Sequence, residues 1–257
     1  MALAYTYEGI KSNGTTAVSS KTWTFSTDYG YTVDTDSETL LVLIVRFYNT
    51  NNRTITSVTS NSGGYTWYEL GFEAVTDSGS WHPCGIYLAK AADITSDDFT
   101  INVGGGTAAP AATLWEVTGA NTDSADWSSW PVQGDHKTSA ADFDFGGTLD
   151  FSATGEDDGA GFCWWNASSA AANVFDVDWT WRNSNANGGW GDVQVSGQPT
   201  AFANTTTLTG SGANQTGIMG GVGAAASGGA GTDIPKLALN FGGGVNPHAS
   251  LDGGLIT

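Results

Sequence analysis

Apolar positions along this chain fall into short clusters separated by Gly, Asn, Asp and Ser, and one cluster differs from the rest. Thr39-Leu40-Leu41-Val42-Leu43-Ile44-Val45-Arg46-Phe47-Tyr48 runs without alternation and without a small residue. An unbroken apolar run needs cover on both faces, as in a strand at the centre of a packed sheet or in a buried helix. Its shortness and its β-branched and aromatic content favour the strand. So do the polar turn-like stretches on either side, Asp34-Thr35-Asp36-Ser37 and Asn49-Thr50-Asn51-Asn52.

Around this central strand the pattern is different. Ala4-Tyr5-Thr6-Tyr7, Thr22-Trp23-Thr24-Phe25-Ser26 and Asp98-Phe99-Thr100-Ile101-Asn102-Val103 alternate between apolar and polar residues, the mark of strands with one buried face. Further strands are expected at Thr54–Thr59, Tyr65–Leu70, Gly85–Lys90 and Ala112–Thr118. Helical content is confined to a turn or two within Ala89–Ile94 or near Ala170. Many short strands joined by Gly-, Asn- and Asp-rich turns predict an all-β, jelly-roll-like β-sandwich.

The second half restates the first more loosely. Gly161-Phe162-Cys163-Trp164-Trp165-Asn166 takes the place of the central strand, again after an acidic approach. Val177–Arg182 echoes Tyr65–Glu69, Gly191–Val195 echoes Gly85–Ala89, and Gln215–Val222 echoes Ala112–Val117. Order is kept at offsets of roughly 100–120 residues, as an internal repeat requires. With no Pro/Ser-rich linker between the halves, the expectation is one sandwich unit over 1–223, with pseudo-repeats 1–123 and 124–223. A Gly-rich connector and C-terminal arm follow over 224–257. Within that tail Ile234, Leu237, Leu239 and Phe241 read either as a last strand of the domain or as an arm docking on a neighbouring subunit.

Charge narrows the range of partners. The 26 acids and 8 bases of the 257 residues give a formal net charge of −18. Such a surface repels phosphates and anionic lipid, so neither nucleic acid nor membrane is an expected partner. No basic and apolar leader opens the chain, and no run of about 20 apolar residues occurs, so a soluble protein made in a cytoplasm is expected. Cys84 and Cys163 are too few for a disulfide framework. They read as buried thiols, with a single bridge between them left open.

Reactive constellations are lacking. His82, His136 and His248 stand apart from one another, and no Gly-x-Ser-x-Gly or phosphate-cradling Gly-rich loop is present. No catalytic residue, metal ligand or cofactor is therefore assigned. Acids at Asp34/Asp36 and Glu156-Asp157-Asp158 leave Ca²⁺ as a minor alternative, without EF-hand spacing to support it. Trp81, Trp127, Trp130 and Trp190 lie beside Gly, Ser, Asp and Pro in expected loops. There they either cap the ends of the sandwich or stack on sugar rings as glycan contacts.

One resemblance adds to this. The order of acidic turn, Leu-Leu-Val-Leu-Ile-Val-Arg-Phe strand, Ile-Thr-Ser-Val, Trp-Tyr-Glu-Leu, Ile-Tyr-Leu-Ala-Lys and Val-Thr-Gly-Ala-Asn-Thr-Asp runs from Glu38 to Asp123. It resembles a β-sandwich module common in tailed-phage virion proteins. The pattern covers about a third of the chain and carries no catalytic residue. It implies a non-enzymatic virion accessory protein, most naturally a capsid decoration protein, with a carbohydrate- or receptor-binding fibre or tail module as the alternative. It also implies other virion proteins as partners (the major capsid protein, or tail and fibre subunits) and residence in the virion; self-association, as in a trimer, is expected in addition because it covers exposed strand edges.

Overall fold

Both faces of the run from Leu40 to Val45 are buried, and by two different layers. In the computed structural model, residues 3–48, 53–74, 83–137, 142–150, 159–167, 180–185, 188–195, 202–207 and 215–225 are described. The first half contributes β1 (Ala4–Ser12), β2 (Ser20–Thr24), β3 (Thr39–Tyr48), β4 (Thr54–Ser60), β5 (Tyr65–Thr66), β6 (Tyr68–Glu73), β7 (Cys84–Lys90), β8 (Asp98–Gly104) and β9 (Ala109–Thr118). The second contributes β10 (Val132–Lys137), β11 (Asp142–Leu149), β12 (Gly159–Ala167), β13 (Thr180–Asn185), β14 (Gly188–Val195), β15 (Phe202–Thr207) and β16 (Gln215–Gly223). The fold is all-β and sandwich-like, with every strand pair antiparallel.

A five-stranded sheet in the order β1-β9-β3-β7-β6 places the run at its centre, as the unbroken apolar pattern predicts. Leu41, Leu43, Val45 and Phe47 point into a core shared with the four-stranded sheet β2-β8-β4-β5, among them Trp23, Val58, Phe99 and Ile101. Leu40, Val42 and Ile44 point the other way, into a core shared with Ala160, Phe162 and Trp164 of β12 and Ile218 and Val222 of β16. None of these seven β3 side chains is more than 1 % exposed. Burying one such side chain contributes about 1.5–3 kcal/mol, so β3 alone is a large part of what holds three sheets together. Its neighbours divide the same way. Trp115 and Val117 of β9 face the second half, and Ala112 and Leu114 face the first sandwich core.

The second half's five-stranded sheet runs β10-β16-β12-β14-β13. Position for position this is the order of the first sheet, with β12 standing where β3 stands. The correspondence extends outward. β2 pairs with β8 in the first half's outer sheet, and β11, which follows β10 as β2 follows β1, pairs with β15. Residues 168–179, which fall where β4 and β5 would be, lie outside the described residues. The two halves thus share a topology and meet through their five-stranded sheets. On the far face of β12, Cys163 and Trp165 are buried, as are Met219 of β16 and Phe145 and Leu149 of β11.

The close approach of the two halves depends on glycines at the seam, Gly71 and Gly220 among them. A Cβ on Gly71 of β6 would stand 2.5 Å from Val132 Cγ2 of β10. One on Gly220 of β16 would stand 2.7 Å from Ile86 Cδ1 and 2.9 Å from Leu70 Cδ2. Polar bonds close the same seam. His136 Nδ1 and Glu73 Oε1 lie 2.6 Å apart. At the opposite end, Asn121 N donates to Gly223 O at 2.9 Å, and Ala225 N donates to Gly119 O at 2.8 Å.

Regular helix is limited among the described residues to single turns, including a 3-10 turn at Ala91–Asp93 inside the span expected to hold one; Ala170 lies outside the described residues. No described helix is long and apolar enough to cross a membrane. Cys84 and Cys163 are both buried thiols rather than a disulfide. Cys84 faces the core between the halves, where burial, more than the nearby Glu73, pushes its thiol well above the ordinary range. The chain divides into Met1–Ser227 and Gly228–Thr257. The second unit, with the expected arm residues Ile234, Leu237, Leu239 and Phe241, lies outside the described residues.

Candidate functional site

Two of the tryptophans expected in loops are buried. Trp127 and Trp130 are 2 % and 3 % exposed and belong to the core between the halves rather than standing free in a loop, and Trp127 also lines the cavity described below. A 3-10 turn at Trp127–Ser129 folds the connection back, so both rings enter that core. Trp127 meets Tyr68 edge-on at 5.6 Å and Trp130 at 6.1 Å, and its Nε1 donates to Asn121 O at 3.1 Å. Trp190 lies within β14, opposite Trp164 of β12, rather than in a loop. Trp81 lies outside the described residues.

A cavity of about 860 Å³ opens where the chain crosses from the first half's outer sheet into its five-stranded sheet. The crossing is the segment Tyr65-Thr66-Trp67-Tyr68-Glu69. Trp67, 2 % exposed, anchors it by donating from Nε1 to Ser60 Oγ at 2.9 Å. That anchor leaves Tyr65 and Tyr68 half-buried on the cavity wall, with the connection Thr122–Ser124 facing them. Neither tyrosine is loosely held. Tyr65 Oη accepts from Lys90 N at 3.3 Å, and the Tyr68 ring rests against Trp127.

Three carboxylates and one ammonium complete the lining: Glu69, Asp93, Asp123 and Lys90. Glu69 Oε2 accepts from the hydroxyl of buried Tyr87 at 2.9 Å, and burial, then Glu69, raises the Tyr87 phenol far above its ordinary range. Asp93 is placed by its neighbour across the turn. Asn61 Nδ2 donates to Asp93 O at 2.8 Å, while Asn61 Oδ1 accepts from Thr95 N and Ser96 N at 2.8 and 2.9 Å. Asn61 and Ser62 both hold positive φ, 54° and 55°, a conformation costly for residues with a Cβ. The Asn61 bonds offset that strain and fix the wall.

Of the residues lining this cavity, Trp127 stands among the expected glycan contacts; the others, in Tyr65–Glu69, at Lys90 and Asp93 and in Thr122–Ser124, are not singled out by the sequence, because they come from segments far apart in the chain. The only local signal was aromatic residues on both parities of Tyr65–Tyr68, which one strand face cannot bury.

A second acidic group lies elsewhere on the first half. Glu8 stands at a bulge of β1 opposite β9, near Glu116, which accepts a hydrogen bond from the Tyr31 hydroxyl. Burial first, and Glu116 second, raises the Glu8 carboxyl above its ordinary 4.5. A carboxyl raised on folding is stabilising while protonated, and that contribution is lost as pH climbs through its folded value. Glu8→Gln is therefore expected to melt higher than the parent at pH 7 and to converge with it below 4.5. Melting curves at the two pH values check this, and an equal gap at both would contradict the assignment. Neither carboxylate lines the cavity. Among the described residues no three His, Cys, Asp or Glu side chains gather in a way that would hold a metal ion.

Comparison of the chain with family models, with curated proteins and with solved structures gives no match.

Proposed function

We propose that this chain is a non-enzymatic structural protein of a phage particle, a capsid decoration or accessory protein. The observation that carries the reading is the back-to-back union of two halves of one topology through a continuous apolar core. A block built that way is stiff, spends its apolar surface internally, and presents acids outward, as suits a module added to the outside of a preformed shell. The pattern over Glu38–Asp123, similar to phage virion sandwiches, supports the same reading.

In this proposal the partners are other virion proteins, foremost the major capsid protein, and the residues beyond Ala225 supply the attachment. Outer strands β1 and β13 offer edges on which copies pair, a trimer being the simplest closed form that covers them. Strongly negative charge favours encounter with a basic patch on the shell and makes that encounter weaker in salt.

Co-sedimentation with capsids lacking the protein tests this directly. The intact chain is expected to pellet with them, and a chain ending at Ala225 to remain in the supernatant. Failure of both chains to pellet would remove the capsid role. Equal pelleting would keep the role and move the attachment to the sandwich itself.

A further inference from the structure

We infer that the cavity beside Tyr65 and Tyr68 is a binding site for a short saccharide, uncharged or bearing amino groups. The inference is independent of the capsid reading, because it rests on the cavity alone. Its volume, about 860 Å³, lies within the range of roughly 300–1,000 Å³ typical of small-molecule sites. That is room for more than one sugar ring and far more than a single protein side chain fills.

The lining has the two kinds of surface a sugar needs. A pyranose offers apolar C–H faces and a rim of hydroxyl donors. Tyr65 and Tyr68 supply flat apolar surface. Glu69, Asp93 and Asp123 supply carboxylate oxygens, which are acceptors only and pair well with hydroxyl or ammonium hydrogens. Lys90, with Thr66 and Thr122, supplies donors for hydroxyl and ring oxygens.

Charge sets the selectivity. Three carboxylates against one ammonium, on a chain of net charge −18, turn away uronic and sialic acids. Preorganisation also favours binding. Tyr65, Glu69 and the Asp93 segment are each already held by hydrogen bonds from the scaffold, so little is left to order when a ligand arrives.

Isothermal titration of the full chain with three trisaccharides tests the inference: cellotriose, the glucosamine trimer and tri-galacturonic acid. Saturable binding of cellotriose or the glucosamine trimer is expected, with none of tri-galacturonic acid. Tyr68→Ala is expected to weaken that binding at least tenfold, and Tyr68→Phe to keep it. Because Tyr68 also touches Trp127, a second variant, Asp93→Ala, carries the test on an exposed turn where only the side chain is removed. It too is expected to weaken binding severalfold at an unchanged melting temperature. The inference is overturned if neither trisaccharide binds, or if binding survives both alanine variants. Preference for tri-galacturonic acid, or binding of an oligo-arginine peptide in place of any sugar, would overturn it as well.

Discussion

Phe162→Ala is expected to destabilise the whole protein by about 3–5 kcal/mol, although Phe162 belongs to the second half and much of its contact surface to the first. Its ring meets Trp115 of β9 edge-on at 5.3 Å and Tyr5 of β1 at 5.8 Å, and none of it is exposed. The loss combines the transfer free energy of the ring with a cavity whose large neighbours, Trp115 foremost, cannot collapse into it. For a unit of this size the melting temperature should fall by roughly 6–20 °C. Because β3 and β9 are covered on one face by the second half, a single transition should move as a whole. Circular dichroism and tryptophan emission followed together check it. Two separated transitions, with the first half melting at its old temperature, would show that the shared core does not couple the halves.

Gly71→Val should cost about 1–3 kcal/mol by the opposite route, overpacking. Valine suits a strand better than glycine does, so local propensity favours the substitution. Val132 opposes it: its Cγ2 stands 2.5 Å and its Cβ 3.4 Å from where the new Cβ would sit. A β-branched side chain has few alternative rotamers, so the backbone of β6 or β10 must yield. The decisive measurement is the double mutant. Val132→Ala should destabilise alone yet recover part of the loss when combined with Gly71→Val, giving a coupling of about 0.5–3 kcal/mol. Additive effects would mean that the two residues do not meet. Gly220 is less severe by the same reasoning, since the atoms in its way are the flexible ends of Ile86 and Leu70.

How much of this was legible in the sequence depends on where each residue's partners lie. The β3 run announced its own position, because six consecutive large apolar side chains, Leu40 to Val45, need cover on both sides and their β-branched content favours a strand. The echo of β7 and β9 in Gly191–Val195 and Gln215–Val222 was visible too, and those strands occupy matching places in the two five-stranded sheets. What stayed hidden is which layer covers which face. Trp127 and Trp130 carry loop-like neighbours, and only a core assembled from β7, β9, β12 and β16 makes their burial intelligible. Glycine inside a strand ordinarily weakens it, whereas at Gly220 the missing side chain is what lets two sheets approach. The cavity was invisible for a related reason: Tyr65, Lys90, Asp93 and Asp123 converge only after the chain has changed sheets.

The order of synthesis gives the shared core a further meaning. Once residue 123 has left the ribosome, every strand of the first sandwich exists, yet Leu40, Val42, Ile44, Leu88 and Trp115 still lack the layer that covers them. At about 5–20 residues per second, the next hundred residues take roughly 5–20 s to arrive. For that interval the nascent chain carries a broad, sticky β-face in a crowded cell. Its yield is then set by whether translation outruns self-association, and slowing the ribosome between residues 124 and 223 would lower the soluble fraction without changing one contact of the finished fold.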